Sequence, residues 1–410
     1  MKKNNYKVLY GLPKKVIFCK KCLMSNQRPI SEIEFKHSIK TKKKTMFIDK
    51  NGISDPWKVA QKKNLINWDK REKELLKLLD KHRGKYGQYD CIVPGSGGKD
   101  SGLQAHILKH KYGMNPLTIT WPPILYTTYG RKNFRNWLKI GGFDNLTSKR
   151  NKRVMKLLTK YAIVNLLHPF QTFILGQKNF APKISLKHGI PLVFYGENEN
   201  EYGNPIADGI TSLRKKSYFT YNKLNEIYLG GISYKDLINI HNFKKKDLND
   251  FLPPTANEMK GKDVQVHYLG YYIKWTPQEA YYYAVKNTGF KPRPFRTQGT
   301  YSRYNSIDDK IDDLHYYTTY IKFGIGRASY DVSQEIRNKH LTIEEGKKLI
   351  KKYDGEFPDE YFNDIMDYLD IKKNFFHDLC NKFRSPHLWG KNSRNQWKLR
   401  HTVNKDGLDD

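Results

Sequence analysis

The chain has 410 residues, enough for two domains or for one domain with large additions, and 38% of them are hydrophobic and 14% aromatic. With a mean hydropathy of -0.77, this suits a folded chain with a lysine-rich surface and excludes wholesale disorder. The net charge of +33 invites a polyanionic partner, yet the lysines are scattered, with tight runs at Lys42-Lys43-Lys44 and Lys244-Lys245-Lys246. Alongside abundant Asn, Ile and Tyr they read as AT-rich coding and solvated faces, so a nucleic-acid partner is not expected. No window holds about 18 consecutive apolar residues, and Met1-Lys2-Lys3-Asn4-Asn5 begins no apolar leader. A cytoplasmic chain without membrane insertion is expected. Four cysteines, Cys19, Cys22, Cys91 and Cys380, make no disulfide framework in a chain of this length, consistent with a reducing compartment.

Residues 1–65 read as a small, irregular amino-terminal appendage. From Trp68 to Tyr86, Leu75, Leu76, Leu78 and Leu79 among Lys and Glu predict an amphipathic helix. The run Tyr89 to Pro94 predicts a strand that ends at a glycine-rich turn. Ser101 to Tyr112 carries helical spacing through Leu103, Ile107 and Leu108, and Pro116 to Trp121 predicts a second strand. Strand, glycine turn, helix, strand opens a parallel α/β sheet, in which ligands gather beyond the carboxyl ends of the strands. A later unit repeats the pattern: helix-like Lys183 to His188, Gly189, then a strand from Ile190 to Tyr195 ending in Gly196-Glu197-Asn198. Residues 205–265, with Pro253-Pro254, read as a connector. Beyond it, Thr276–Lys286, Asp331–Asn338, Thr342–Lys352 and Asp359–Leu369 carry helical signals. The expected organisation is an appendage (1–65), an α/β nucleotide domain (66–235) and a mainly helical region (236–410).

The chemistry is concentrated in Ser96-Gly97-Gly98-Lys99-Asp100-Ser101. Small residues let backbone N–H groups point at an anion, and the following helix adds the positive end of its dipole. Lys99 supplies a cation, Ser96 and Ser101 supply hydroxyl donors, and Asp100 is suited to orient a phosphate-bound magnesium. This is not a Walker A loop, since Asp100 follows Gly98-Lys99 where Ser or Thr belongs. The hexapeptide resembles the SGGxDS signature of PP-loop ATP pyrophosphatases, the group that includes GMP synthetase, NAD synthetase, asparagine synthetase and the tRNA sulfurtransferases. The resemblance implies an adenine nucleotide alpha hydrolase-like fold and cleavage of ATP between its α and β phosphates.

Further segments resemble the N-acetyl sugar amidotransferase family: Cys19-Lys20-Lys21-Cys22-Leu23-Met24, Tyr89 to Ser101, His168-Pro169-Phe170, Gly176 to Phe180, Phe194 to Asn198, Phe295 to Thr300, Tyr316 to Arg327 and Pro386 to Trp389. That resemblance implies a role in lipopolysaccharide O-antigen or flagellin glycan biosynthesis. The acetamido oxygen of a nucleotide-linked N-acetyl sugar would attack ATP with Mg2+ present, and ammonia would then displace AMP to leave an acetamidino group. It implies ammonia from a separate glutaminase with a cyclase-like channelling subunit. Lys99 and Asp100 are the catalytic candidates. Glu197, Asn198, Arg296 and Arg327 are substrate-binding candidates, with Arg293 and Lys322 as further possible clamps and His168 as a packed turn histidine. Thr118 to Trp121 serves either beside an adenine or as a plain core strand.

Cys19-x-x-Cys22 has the spacing of half a zinc ribbon, and the family usually shows a second pair some 30 residues on. Here Ser54 and Trp57 stand in those places, so four zinc ligands are not offered and a zinc site is not expected. The alternative is a tRNA-thiolating PP-loop enzyme. It would need a reactive cysteine by the ATP loop, where only Cys91 is close in sequence.

Overall fold

The protein is described here by a computed structural model that covers residues 6–196 and 211–410; Met1 to Asn5, Glu197 and Asn198 fall outside the described residues. In chain order the elements are α1 (Asp55–Lys63), α2 (Trp68–His82), β1 (Cys91–Pro94), α3 (Lys99–His106), β2 (Pro116–Thr120), α4 (Thr128–Gly141), β3 (Asn145–Thr147), α5 (Lys152–Leu166), α6 (Gln171–His188) and β4 (Leu192–Tyr195). There follow β5 (Tyr228–Leu229), β6 (Ile232–Ser233), α7 (Tyr234–Asn239), α8 (Lys245–Leu248), β7 (Gln265–Tyr268), α9 (Pro277–Thr288) and α10 (Ile311–Phe323). The chain ends with α11 (Arg327–Arg337), α12 (Ile343–Tyr353), α13 (Asp359–Leu369), α14 (Lys373–Phe383), β8 (Trp389–Lys391) and β9 (Trp397–Leu399).

Five strands form one parallel sheet in the order β3-β2-β1-β4-β7. β1 and β2 are buried almost throughout, which is why they read as short apolar runs rather than as alternating strands. Ile92, Leu117, Ile119 and Val193 pack on one side with Val266 of β7. Cys91, Val93, Leu192 and Phe194 pack on the other with Leu75 and Leu79 of α2 and with Trp137. From β1 the chain builds outward to β2 and β3, then returns to place β4 on the opposite flank of β1. The turn after β1 therefore stands at the point where the strand order reverses, the usual ligand crevice of such sheets.

Several local expectations are corrected. The strand β7 lies beyond the boundary at residue 235, at the far end of the stretch read as a connector, so the sheet extends past that boundary; four residues carry too little periodicity to announce a strand. Among the described residues, that stretch also holds the β5-β6 pair and the short helices α7 and α8. The helix expected from Lys183 is the last third of α6, which begins at Gln171 and carries the buried Pro182 inside it. The helix expected from Ser101 to Tyr112 starts at Lys99 and loosens into a π-helical turn at Ile107–Lys111.

The amino-terminal segment packs onto the C-terminal part of the chain. Cys19, Cys22, Met24 and Met46 share a core with Phe323, Ile325, Leu388 and Trp389. A chain of hydrogen bonds adds to this: the Leu9 amide donates to Ser385 Oγ at 2.9 Å, Ser385 Oγ lies 2.7 Å from His387 Nδ1, and His387 Nε2 lies 3.2 Å from Gln27 Oε1. This network assigns the neutral tautomer with the proton on Nε2. Burial pushes His387 down to about 4 and does the same to His267 on β7. A histidine whose folded pKa is depressed stabilises the fold above its unfolded value near 6.5, and that contribution is lost as pH falls toward 4. The urea midpoint should therefore drop between pH 7 and pH 5, and His387→Gln should shrink the drop. An identical pH profile in that variant would exclude His387 as a source.

Candidate active site

The loop after β1 is shaped by steric necessity. Gly97 has φ +84°, and a Cβ there would lie 2.6 Å from Phe134 Cα and 2.8 Å from the Asn133 carbonyl. A Cβ on Gly95 would meet Ser101 Cβ at 2.5 Å and the Trp137 ring at 2.8 Å. Both positions thus require glycine. The helix α3 opens at Lys99 with Gly98 as its N-cap and no side-chain cap, so its first-turn amides are left for an anion or water. Ser101 Oγ accepts from the Gly97 amide at 3.2 Å and donates to the Gly98 carbonyl at 3.1 Å, which holds the turn in place.

Two cavities meet at this loop and share Ser96, Gly98, Asp100, Asp308, Asp312 and Tyr316. The larger, about 490 Å³, runs over the carboxyl ends of β1, β2 and β4 past Ile119, Trp121, Tyr195 and Gly196. The smaller, about 280 Å³, lies against Lys99, Asn133, Trp275, Tyr304 and Arg327. Lys99 Nζ is 2.6 Å from Asp100 and 5.5 Å from the centre of the Trp275 ring. All six residues from Ser96 to Ser101 therefore border one or both cavities.

The structure separates the arginine candidates. Arg327, the first residue of α11, lines the smaller cavity, with Nε 3.0 Å from Asp331 and its guanidinium 4.4 Å over the Tyr316 ring. Arg296 is not brought to the loop. It forms a two-pronged pair with Glu356 at 2.6 Å on both prongs and reaches the carbonyls of Thr297 and Thr300, so it closes its own turn and borders neither cavity. Arg293 is buried against Glu360 at 2.5 Å, and Lys322 donates to the Leu166 carbonyl at 2.7 Å. Trp121 and Ile119 of the second strand do face the larger cavity.

Sequence reasoning missed the carboxylates that face the loop. Asp308, Asp309 and Asp312 arrive at the start of α10, more than 200 residues after the turn they confront. Asp308 accepts from Ser96 Oγ at 3.0 Å. Asp309 accepts the amides of Ile124, Leu125 and Ile311 at 2.5, 3.2 and 3.0 Å and so ties the segment after β2 to α10. Burial raises the Asp308 carboxyl and pushes those of Asp309 and Asp312 up to about 7. The signal was present in Asp308-Asp309-Lys310-Ile311-Asp312-Asp313, a dense acidic run in a basic chain.

The cysteine pair is likewise occupied. The Ser54 amide donates to Cys19 Sγ at 3.3 Å, and Ser54 Oγ lies 3.3 Å from Cys22 Sγ. A hydroxyl therefore stands where a ribbon would carry a third sulfur, and the Trp57 amide caps onto that same hydroxyl at 3.4 Å. A hydrogen bond from Cys22 draws the Cys19 thiol down to about 5, while Cys22 is raised. Cys91 is fully buried in β1, and burial pushes its thiol far up.

Among the described residues, no helix is long and apolar enough to cross a membrane. Over a 53-residue stretch the chain is 42% identical to an uncharacterized protein of Methanocaldococcus jannaschii, a match that covers 13% of this chain and 19% of that protein. Residues 298–404 match the family model described as "LPS biosynthesis protein WbpG-like, C-terminal domain". That interval contains Asp308, Asp312, Tyr316 and Arg327, which close the loop's cavities from the C-terminal side. The C-terminal region, and with it one wall of the candidate active site, is thus similar to that of WbpG-like lipopolysaccharide-biosynthesis proteins.

Proposed function

We propose that the chain is an ATP-dependent amidotransferase of the PP-loop type, acting on a nucleotide-linked N-acetyl sugar in O-antigen or flagellin glycan biosynthesis. The observation that carries this reading is the turn after β1: two glycines without room for a Cβ, an uncapped helix start, and Lys99 and Ser96 beside them, all where a cavity of about 490 Å³ meets one of about 280 Å³. In this reading the diphosphate end of ATP occupies the smaller cavity near Lys99 and Arg327, and the nucleoside and acceptor share the larger. Asp100, Asp308 and Asp312 offer the hard oxygen ligands that Mg2+ takes, and the ion would neutralise charge on the leaving pyrophosphate.

The acceptor's acetamido oxygen attacks the α-phosphorus, the bond to the β-phosphate breaks, and an O-adenylyl imidate forms. Ammonia then adds at the imidate carbon and the bond to AMP breaks, with loss of one proton. An amide is a poor electrophile until its oxygen becomes a good leaving group, so the loop's contribution is electrostatic: preorganised donors for charge that appears only as the reaction proceeds. Ammonia is supplied by a separate glutaminase with a cyclase-like subunit.

The test is ATP–pyrophosphate exchange with Mg2+ and a panel of UDP- and CMP-linked acetamido sugars. Exchange should require one of the sugars, and added ammonium should yield AMP and a product in which NH has replaced the acetamido oxygen. Exchange that depends on tRNA instead would favour the thiolating alternative, which the deeply buried Cys91 does not support.

A further inference from the structure

A third cavity, of about 340 Å³, lies between the amino-terminal segment, the α5-α6 junction and α10, and shares Ser31, Ile174, Lys178 and Tyr316 with the larger loop cavity. Three donor atoms, two from the amino-terminal segment and one from the α5-α6 junction, converge on its wall. One oxygen of Glu34 lies 3.1 Å from His37 Nδ1 and 3.4 Å from His168 Nε2, and the three donor atoms all lie within 4.8 Å of one another. Around a tetrahedral zinc with ligands at about 2.0–2.1 Å, adjacent donors stand about 3.3–3.4 Å apart. Of the two edges anchored on Glu34, the one to His168 has that length and the one to His37 is slightly shorter.

The ionisation states suit a cation. Burial holds His37 low and His168 down to about 4, so both rings are neutral. Burial opposes charge on Glu34 as well, but hydrogen bonds from His168 and His37 keep its carboxyl well below the usual range; a bound ion would take the place of those protons, each ring moving its proton to its other nitrogen. His168 stacks on His315 with ring centres 5.1 Å apart, and the Nδ1 atoms of both are buried without a hydrogen-bond partner. Two lysines face the cluster. Lys43 Nζ lies 3.4 Å from His37 Nδ1 but is held by Glu32 at 2.6 Å, and burial lowers Lys322 to about 7, which weakens its repulsion at neutral pH.

We propose that Glu34, His37 and His168 bind one divalent transition-metal ion of the zinc class, with the remaining coordination position open to the cavity. Two histidines and one carboxylate with a free position is the ligand set of sites that take an exogenous oxygen ligand, whereas purely structural zinc sites are closed by four protein ligands. The site is separate from the Cys19–Cys22 pair and does not depend on the ATP reading.

The full chain, stripped with a chelator and titrated with Zn2+ against a chromophoric competitor, should take up one equivalent. His37→Gln and His168→Asn should each weaken that binding more than about 10-fold, with circular dichroism unchanged, while Cys22→Ser leaves it intact. Co2+ in the wild-type chain should give visible d–d bands without near-ultraviolet thiolate charge transfer, a readout that needs no variant to fold. Failure to bind either ion, or uptake that is lost in Cys22→Ser and carries a thiolate band, overturns the proposal and leaves Glu34, His37 and His168 as a hydrogen-bonded packing cluster.

Discussion

Replacing Lys99 by methionine should lower the rate of ATP–pyrophosphate exchange by about 10²–10³-fold and move the denaturant midpoint little. The ammonium sits beside Asp100 at 2.6 Å on the wall of the smaller cavity, and Lys99 as a whole is only 8% exposed. Methionine keeps an unbranched stem of similar length and removes the charge. Asp100 keeps 29% of its side chain exposed, so the loss of its partner leaves a hydrated carboxylate rather than a buried orphan, and the fold should tolerate it. The cost falls on the transition state because negative charge on the departing diphosphate grows as the bond breaks. Exchange at the wild-type rate would place the chemistry elsewhere.

Arg293→Ala should have the opposite profile, destabilising the fold by about 1–3 kcal/mol, chiefly through the packing lost when a fully buried side chain is truncated. The Arg293 side chain is 1% exposed and pairs with Glu360 at 2.5 Å, with its guanidinium 4.4 Å from the centre of the Phe295 ring. Nearby Asp313 is already raised well above its ordinary value by burial and by Asp312, and Arg293 is the first of the cations that offset this. Truncation would leave buried Asp313 without the first of its offsetting cations and open a cavity beside Phe295, while Glu360, with 29% of its side chain exposed, stays hydrated. Urea unfolding at pH 7 measures the loss, and Arg293→Lys should recover part of it, because the charge returns without the planar fork. A midpoint unchanged by Arg293→Ala would show that the pair contributes nothing net.

The contrast between Arg296 and Arg327 shows what sequence reading can and cannot resolve. Both lie in glycine-marked segments and both were candidates to clamp phosphates. Arg296 is taken by Glu356, some 60 residues away, and only Arg327 reaches the loop. Nothing local to either residue distinguishes them, because a guanidinium's role is set by the carboxylate or cavity that the fold places in front of it.

What the sequence by itself determined is the strand, glycine turn, helix and strand from Cys91 to Thr120. Each is a local object: apolar runs for buried parallel strands, and glycines where no Cβ fits. Tertiary structure alone decided the rest. It added β7 to the sheet, set Asp308 and Asp312 against Ser96 and Asp100, locked the amino-terminal segment onto Ser385 and His387, and drew Glu34, His37 and His168 together. These pairings join residues more than 100 positions apart or rest on strands too short to show a period, and packing between distant segments leaves no trace in the spacing of either one.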